Sequence, residues 1–213
     1  LNGRVDAISR PPESGNVWVH GSEVTTDEVG QLVERYGLDT NIVRDVFDRN
    51  ELPRIEFDEH KNMYVFLRVA WRAKSKEIKT APLLAVVSKK NYLTLSQTNI
   101  QAPGYIEEDG LDRSLTSSIA PLLYTFAGVV SDYEQLVHAT TESVRSIKYR
   151  LRSHEATNDD FLRFITIEEN LAVFLYNLTA MFSVAERLLE DRRGRLTVDD
   201  TEALEDIMLQ LKQ

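Results

Sequence analysis

The sequence predicts an α+β fold with an α/β-like head, in which a mixed β-sheet is flanked by helices and followed by long helices. Up to about residue 100, short runs with the period of strands alternate with short runs with the period of helices. After residue 104 the pattern changes, because apolar residues recur at steps of three and four over long stretches. With 213 residues, 42% of them hydrophobic, the chain is long enough to bury a sizeable core.

The first elements are predicted from local signals. Residues 17–20 have the pattern of a strand. Thr25 and Glu28 have the spacing of a capping box, which predicts the start of a helix, and Gly37 is expected to end that helix in a left-handed conformation. A shorter helix is predicted over residues 40–47.

Residues 44–71 predict a helix, a proline crossover and a β-hairpin. Pro53 cannot continue a helix because it has no N–H to donate. Apolar residues then alternate with polar ones on both sides of the charged turn 58–62. Ile55 and Phe57 alternate with Arg54 and Glu56 before the turn, and Tyr64, Phe66 and Val69 resume the apolar pattern after it. The run "LLAVV" at residues 83–87 predicts a central strand buried on both faces, paired with a strand at residues 92–96.

The second half predicts long helices. Residues 117–153 form one amphipathic pattern, which spans on the order of 50 Å at about 1.5 Å per residue, and a second covers residues 158–191. Thr197 and Asp200 cap a third helix. We therefore expect a head subdomain at residues 1–104, a long helical hairpin packed on it at 105–196, and the start of a further helix at 197–213. A helix longer than its head indicates a stalk or a subunit interface.

Composition excludes several classes of function. A net charge of −9 argues against a nucleic-acid partner. The absence of Cys excludes disulfides, thiolate metal sites and Cys nucleophiles. The most apolar run, residues 119–130, is shorter than the roughly 20 residues that cross a bilayer. A first residue other than Met and a helical pattern that still runs at Gln213 lead us to expect a fragment of a longer protein.

Signals of catalysis are absent from the sequence. It has no nucleotide-binding, P-loop, GxSxG or HExxH motif, and nothing indicates an activated Ser or Thr beside a base. We therefore expect that the protein is not an enzyme. The histidines have no partner at the spacing of metal ligands, and we expect them to be structural or exposed: His20, His60, His138 and His154.

Two groups of acids offer the oxygen ligands that hard cations prefer. Glu56, Asp58 and Glu59 lie at the hairpin turn, where a solvated turn is the favoured interpretation. The second group begins the last predicted helix: Asp199, Asp200, Glu202, Glu205 and Asp206. Acids in a first helical turn also stabilise the helix dipole. Asp206 lies about two turns in and one residue from the apolar stripe, which indicates an interface.

Basic residues lie near the ends of the two long helices: Arg145, Lys148, Arg150 and Arg152 near one end, and Arg187, Arg192, Arg193 and Arg195 near the other. A basic patch facing lipid or nucleic acid is one interpretation. Stabilisation of helix C-termini by cations is the interpretation that we favour.

An ordered set of motifs runs along nearly the whole chain. Its clearest part is "TTDEVGQLVERYGLDTNIVRDVFDRNELPRIEFDEHKNMYVFLRV", which contains Tyr36-Gly37-Leu38, Asp45, Asp48 and Leu52-Pro53-Arg54. It continues through "LLAVVSKKNYLTLSQ" and the long helix with Ser131-Asp132-Tyr133. The set resembles the cytoplasmic domain of the CorA-type divalent-cation channels, including the ZntB-like zinc transporters. In that family the corresponding motifs are Phe-Gly-Leu, a proline before a basic residue, and Val-Asp-Tyr.

The resemblance implies a homopentamer in which the long helices form a funnel and the last helix continues as a stalk into the membrane. It places the pore and the Gly-Met-Asn selectivity motif beyond Gln213. We therefore expect a cytoplasmic regulatory domain of a magnesium channel, or a cobalt or zinc channel, that senses divalent cations and gates the pore. The alternative is a soluble helical interaction module with the same head fold and no transport role.

The resemblance also implies a regulatory Mg²⁺ held between neighbouring subunits by paired aspartates. Glu205-Asp206-Ile207 matches the Arg-Asp-Val context of the stalk aspartate. The partner loop reads Ala73-Lys74-Ser75-Lys76-Glu77, with two lysines and no Asp. The candidate ligands are therefore Asp206, Glu205 and Glu77. Three alternatives stay open: Asp206 acts alone, acts with Glu77, or binds no metal.

Overall fold

The computed structural model describes residues 17–73, 77–100, 102–107, 117–155, 157–191 and 195–213. A turn of 3₁₀ helix, Asp45–Phe47, follows the second α-helix. In chain order the other elements are β1 (Val17–Ser22), α1 (Thr26–Tyr36), α2 (Thr40–Arg44), β2 (Arg54–Phe57), β3 (Met63–Arg72), β4 (Ile78–Val87), β5 (Asn91–Ser96), α3 (Ala102–Glu107), α4 (Ala120–Arg152), α5 (Asn158–Leu189) and α6 (Val198–Lys212).

Helix α1 begins and ends where its sequence predicts. The Thr25 N–H donates to the Glu28 carboxylate at 2.9 Å, and the Glu28 N–H donates back to the Thr25 hydroxyl at 3.3 Å. Gly37 ends the helix at φ +61°, where a side chain would be strained. Asp39 then caps α2 by accepting from the N–H groups of Asn41 and Ile42. These signals act within four residues, so sequence alone predicts them.

The strands form one mixed five-stranded sheet in the order β1-β5-β4-β3-β2. Strands β1 and β5 are parallel, and the other neighbouring pairs are antiparallel. Strand β4 lies at the centre, and each of its residues from Ala81 to Val87 is buried. The predicted central strand is confirmed, although it begins at Ile78, five residues before the expected start at Leu83.

The apolar residues of the β2–β3 hairpin lie on both faces of the sheet. Tyr64 and Phe66 pack under α1 and α2, whereas Ile55 and Val69 pack on the other face, toward α4, α5 and α6. Because helices cover both faces of the sheet, strand β3 is apolar on both faces. The order of its apolar residues therefore does not show which face of the sheet a given side chain lies on. Phe66 is fully buried, as its position in the strand predicts.

Helix α3, which contains Pro103 and Gly104, was not expected from the sequence. Proline is tolerated in the first turn of a helix, where its missing N–H would have no partner. The Tyr105 ring lies so close to Gly128 of α4 that a Cβ there would meet it at 2.3 Å. The Tyr105 hydroxyl donates to Asp132 at 2.5 Å. This contact exists only in the folded chain, so local sequence does not reveal it.

The two long helices are confirmed with ends close to the predicted limits. The first half of α4 and the second half of α5, called the proximal halves, join the core. There the rings of Tyr133 and Phe174 meet edge to face with centroids 5.2 Å apart. The Asn177 amide donates to the Tyr133 hydroxyl at 3.1 Å. The other halves of the two helices, called the distal halves, are joined by the α4–α5 turn and extend past the core. From Phe161 to Val173 no residue is buried.

Helix α5, and not the run at residues 119–130, is the part of the described chain that is long and apolar enough to cross a membrane by length and composition. One third of its most apolar stretch is buried in the structure. Met181, Ala185 and Leu188 of the same helix lie in the domain core. A helix that is shared between the core and the surface of a protein can have this length and composition without spanning a bilayer.

Candidate functional site

Helix α6 is fixed at its start by Asp200. The Asp200 carboxylate accepts from the N–H of Thr197 at 2.9 Å and from the hydroxyl of Ser117 at 2.9 Å. The second bond ties α6 to the segment before α4. Asp200 is only 6% exposed, so its carboxylate serves the helix cap and the packing of α6 rather than an incoming cation.

The remaining acids of α6 point away from the core. Leu204 and Ile207 are buried in the core, and four carboxylates on the other side of the helix are exposed: Asp199, Glu202, Glu205 and Asp206. Glu202 and Asp206 are one turn apart and therefore lie on one face. Carboxylates in this setting attract hard divalent cations. We define these four residues as the acidic face of α6.

The acidic face supplies only part of a coordination shell. Among the described residues there is no group of three or more His, Asp or Glu side chains arranged to hold a metal ion. Mg²⁺ usually keeps several waters and touches one or two carboxylates. The residues present therefore fit a partly hydrated Mg²⁺ that takes its other ligands from outside the described part of this chain.

Glu77 lies at the end of the β3–β4 hairpin and is exposed. Its carbonyl accepts from the Ala73 N–H at 2.8 Å, which closes the turn. Arg72 and Ile78, beside this turn, line a groove with the distal half of α4. The last residues of α6 instead line a groove against α4 between Tyr133 and Arg145. Lys74 and Lys76 lie outside the described residues.

The acids of the hairpin turn serve the fold. Asp58 accepts from the Tyr64 hydroxyl at 2.7 Å and from the Asn62 amide at 2.8 Å, and the Tyr64 oxygen accepts from the Asp39 N–H at 2.8 Å. Burial would raise the pKa of Asp58, but these hydrogen bonds outweigh it and leave the pKa below its ordinary value. Glu56 pairs with Arg54. The structure therefore favours a structural turn over a cation site, as the sequence analysis did.

The histidines are structural or exposed. His20 Nε2 lies 3.0 Å from the Ile100 carbonyl, and His20 Nδ1 lies 2.9 Å from the Thr94 hydroxyl, which also accepts from Trp18. His60, His138 and His154 are exposed on separate elements. The network around His20 was not expected, since its partners lie more than 70 residues away along the chain.

The members of the two basic sets that the structure describes lie at opposite ends of the helical hairpin. Arg150 lies at the α4–α5 turn, where its guanidinium pairs with Asp160. Arg195 lies beyond the opposite end of α5, where it packs over Phe57 and donates to the Lys61 carbonyl at 2.8 Å. Arg192 and Arg193 lie outside the described residues. The hairpin bond between Arg150 and Asp160 was not predicted, although the acid lies only ten residues after the base.

Solved structures of CorA and ZntB proteins have the same fold. The chain aligns with the soluble domain of CorA from Methanocaldococcus jannaschii at 17% identity and a TM-score of 0.78, covering 92% of this chain and 79% of that one. Against the complete CorA magnesium transporter of that organism the values are 18% and 0.79, covering 98% of this chain. The chain spans 66% of that transporter's length.

The ZntB cytoplasmic domain from Vibrio parahaemolyticus matches at 12% identity and a TM-score of 0.67, covering 93% of this chain and 84% of that one. These likenesses establish the fold. No curated protein matches the chain. A family model described as CorA-like Mg²⁺ transporter protein matches residues 13–213, which is nearly the whole sequence. The chain therefore belongs to the CorA-like Mg²⁺ transporter family.

Proposed function

We propose that this chain is the cytoplasmic ion-sensing domain of a homopentameric magnesium transporter, with cobalt and zinc as alternative cargo, and that it is not an enzyme. The family match supports a role in divalent-cation transport. The observation that carries the sensing role is the acidic face of α6. Its carboxylates point away from the core of their own subunit, where a second subunit can approach them.

The proposed sensing mechanism follows from the incomplete coordination shell that the acidic face of α6 supplies. A cation that takes one carboxylate from α6 and further ligands from a neighbouring subunit binds only when the two subunits are close. By mass action it stabilises the assembled, closed arrangement over any arrangement that separates the ligands. Asp206 is the central ligand in this proposal, with Glu205 beside it, and Glu77 of the neighbouring subunit is a candidate across the interface.

Affinity at such a site is expected to be weak. One or two carboxylates hold Mg²⁺ through a largely hydrated shell. Lys74 and Lys76 lie within the candidate loop of the sequence, and their positive charges repel an incoming cation. A weak site suits a sensor of an abundant ion, because it fills and empties as the cytoplasmic concentration changes.

The test is ion flux through the full-length gene product in proteoliposomes, with Mg²⁺, Co²⁺ and Zn²⁺ offered separately. We expect flux of Mg²⁺, and inhibition when Mg²⁺ is raised on the side that holds this domain. Asp206→Ala should shift that inhibition to higher Mg²⁺ and leave flux at low Mg²⁺ intact. Glu34→Ala, which removes an exposed acid from α1, is the matched control and should behave as wild type.

Each outcome decides a separate part of the proposal. Folded, inserted protein that carries none of the three ions would overturn the transport role and favour the interaction module. Flux with identical Mg²⁺ inhibition in wild type and Asp206→Ala would retain transport and remove the sensing role from α6.

A further inference from the structure

Arg195, which lies just before the Thr197 cap of α6, is held by the β2–β3 hairpin. Its guanidinium lies 5.1 Å from the ring centroid of Phe57 and donates to the Lys61 carbonyl at 2.8 Å, although Lys61 is 134 residues away along the chain. The Asp191 carboxylate, just past the end of α5, lies 3.7 Å from Arg195 Nε. The Arg195 side chain is only 17% exposed. One mostly buried arginine therefore joins the α5–α6 connection to the sheet.

The hairpin turn offers the Lys61 carbonyl from an unusual backbone conformation. Lys61 has φ +66°, in the left-handed region that side chains other than Asn and Asp disfavour. The Asp58 carbonyl accepts from the Lys61 N–H at 3.1 Å, and the Asp58 carboxylate accepts from the Asn62 N–H at 2.8 Å. These hydrogen bonds hold the turn in a conformation that costs energy. Strain of this kind is retained where the surrounding structure requires it, and here the strained residue binds Arg195.

The same turn is joined to the helical layer on the other side of the sheet. The Tyr64 hydroxyl donates to the Asp58 carboxylate at 2.7 Å, and the Tyr64 oxygen accepts at 2.8 Å from the N–H of Asp39, which caps α2. A continuous series of contacts therefore runs from α2 through the turn to Arg195 and the start of α6. Asp200 joins the same end of α6 to the segment before α4.

We propose that Arg195 is a positioning residue for ion sensing, which fixes the start of α6 against the β2–β3 turn and thereby sets where the acidic face of α6 stands. The inference rests on the sensing role in the proposed function and names a residue that sets its affinity. A carboxylate that samples several positions binds a shared cation only in the fraction of molecules that place it correctly. The apparent dissociation constant rises by the inverse of that fraction.

Arg195 acts through the helix and not through its own charge. Asp206 lies eight residues into α6, which is about 12 Å along the axis at 1.5 Å per residue. That distance exceeds the screening length of about 8 Å at physiological salt, so the direct repulsion of a cation at Asp206 is small. Removal of Arg195 should therefore weaken the cation site, whereas loss of a repelling charge alone would strengthen it.

The test measures Mg²⁺ inhibition of the full-length gene product in proteoliposomes, with each variant normalised to its own flux at low Mg²⁺. If Arg195→Ala leaves α6 correctly placed in about one third of the molecules, the inhibitory midpoint rises about threefold. Arg195→Lys keeps the charge but not the planar group that packs on a ring, so its midpoint should be intermediate. Arg35→Ala removes another arginine that lies over a ring, 5.9 Å from the Tyr36 centroid, and should titrate as wild type.

Substitutions in the hairpin test the same contact from its other side. Phe57→Leu removes the ring and should also raise the midpoint. The double variant with Arg195→Ala should shift the midpoint no more than the larger single change does, because both break one contact. Lys61→Asn removes the side chain but keeps the carbonyl and a residue that tolerates the left-handed conformation, so it should titrate as wild type.

Hydrogen exchange gives a readout that does not depend on transport. Without added Mg²⁺, Arg195→Ala should speed amide exchange in both the β2–β3 turn and the first turn of α6, because each loses the same anchor. Gly128→Ala, which disturbs the distant contact of α3 with α4, is the control for lost stability. It should lower the free energy of unfolding and leave both the exchange of these two turns and the Mg²⁺ midpoint as in wild type.

Several results would overturn the positioning role. An unchanged midpoint in Arg195→Ala would leave Arg195 as a residue of the fold alone, and an equal shift in Gly128→Ala would trace the effect to lost stability. Additive shifts in the double variant would show that Arg195 does not act through Phe57. Wild-type protein without Mg²⁺ inhibition would instead remove the sensing role from α6. Exchange of the two turns would then still decide whether Arg195 positions the helix, so the two proposals fail separately.

Discussion

The Arg54 guanidinium lies 2.6 Å from the Asp45 carboxylate and joins the helical layer to the first residue of strand β2. The same guanidinium pairs with Glu51 and Glu56 and lies 4.3 Å from the ring centroid of Phe66. The acidic side chains near Pro53 therefore surround Arg54. Their ion pairs with Arg54 hold the crossover segment against the sheet.

Arg54→Ala should destabilise the domain by about 1–2 kcal/mol, because it removes partly exposed ion pairs and a cation–π contact. Arg54→Lys keeps the charge but not the planar fork that reaches several carboxylates, so its loss should be smaller but measurable. Urea unfolding of the three proteins measures this order. Equal stability of wild type and Arg54→Ala would show that the arginine does not hold the crossover.

Phe66→Ala should cost about 3–5 kcal/mol, because a fully buried ring leaves a cavity between the sheet and helix α1. Pro53→Ala should cost less, under about 1 kcal/mol, mainly through a less restricted unfolded chain. Thermal or urea melts of both variants give the comparison. A reversal of the order would mean that the crossover proline, and not the aromatic core, dominates the stability of this region.

The sequence predicted the elements whose signals are local. The capping pairs Thr25–Glu28 and Thr197–Asp200 and the left-handed Gly37 all act within a few residues, and all three are confirmed. Asp206 was expected at an interface because of its place beside the apolar stripe; it is exposed on α6, and its place at an interface stays a prediction. What the sequence did not reveal needed information from distant parts of the chain, such as the contact of Tyr105 with Gly128.

Gly128→Ala should destabilise the domain by about 1–3 kcal/mol, since the new Cβ would overlap the Tyr105 ring. The displaced ring would also strain the hydrogen bond from Tyr105 to Asp132. Gly30→Ala in α1 is a matched control, because nothing lies within 4 Å of its added Cβ. That variant should gain about 0.5–1 kcal/mol from helix propensity. Two changes with the same sign in chemical denaturation would contradict the packing of α3 on α4.

His20 should make the stability of the domain depend on pH. The Ile100 carbonyl can only accept, so His20 Nε2 carries the proton and Nδ1 accepts from the Thr94 hydroxyl. Burial lowers the pKa of His20 below its ordinary value, against the raising effect of hydrogen bonds at Ile100 and Thr94. The unfolded chain therefore binds a proton at higher pH than the native chain. The stabilisation is complete above the unfolded pKa of about 6.5 and is lost as pH falls from there through the lower pKa of the native chain.

Urea unfolding at a series of pH values from neutral to mildly acidic measures this loss, whose slope is at most about 1.4 kcal/mol per pH unit for one proton. His20→Gln should remove its share of the slope, whereas His138→Gln, at an exposed position on α4, should retain it. The slope is the informative quantity, because either substitution can also change the stability at neutral pH. Identical slopes in all three proteins would show that His20 titrates as an ordinary exposed histidine.

The proposed role of Asp206 as a Mg²⁺ ligand predicts that two substitutions have opposite effects on the Mg²⁺-dependent protection of the assembled transporter from proteolysis. Mg²⁺ that bridges subunits through α6 should slow proteolysis of the loops near the interface, because the bridged assembly opens less often. Asp206→Ala should leave the fold intact, since the side chain is exposed, and should raise the Mg²⁺ needed for protection by about tenfold, or 1.4 kcal/mol. Lys74→Asp replaces a repelling charge with an oxygen ligand and should lower the Mg²⁺ needed.

Digestion in monovalent salt at matched ionic strength tests whether charge screening alone explains the protection from proteolysis. In that salt all variants should lose protection equally. Glu34→Ala controls for the loss of an exposed acid elsewhere on the surface. If Lys74→Asp strengthens protection but Asp206→Ala does not weaken it, the cation binds the loop and takes its second ligand from a residue other than Asp206. If both variants titrate as wild type does, the acidic face of α6 does not bind Mg²⁺, and the lysines beside Glu77 belong to a contact that holds subunits together without a metal ion.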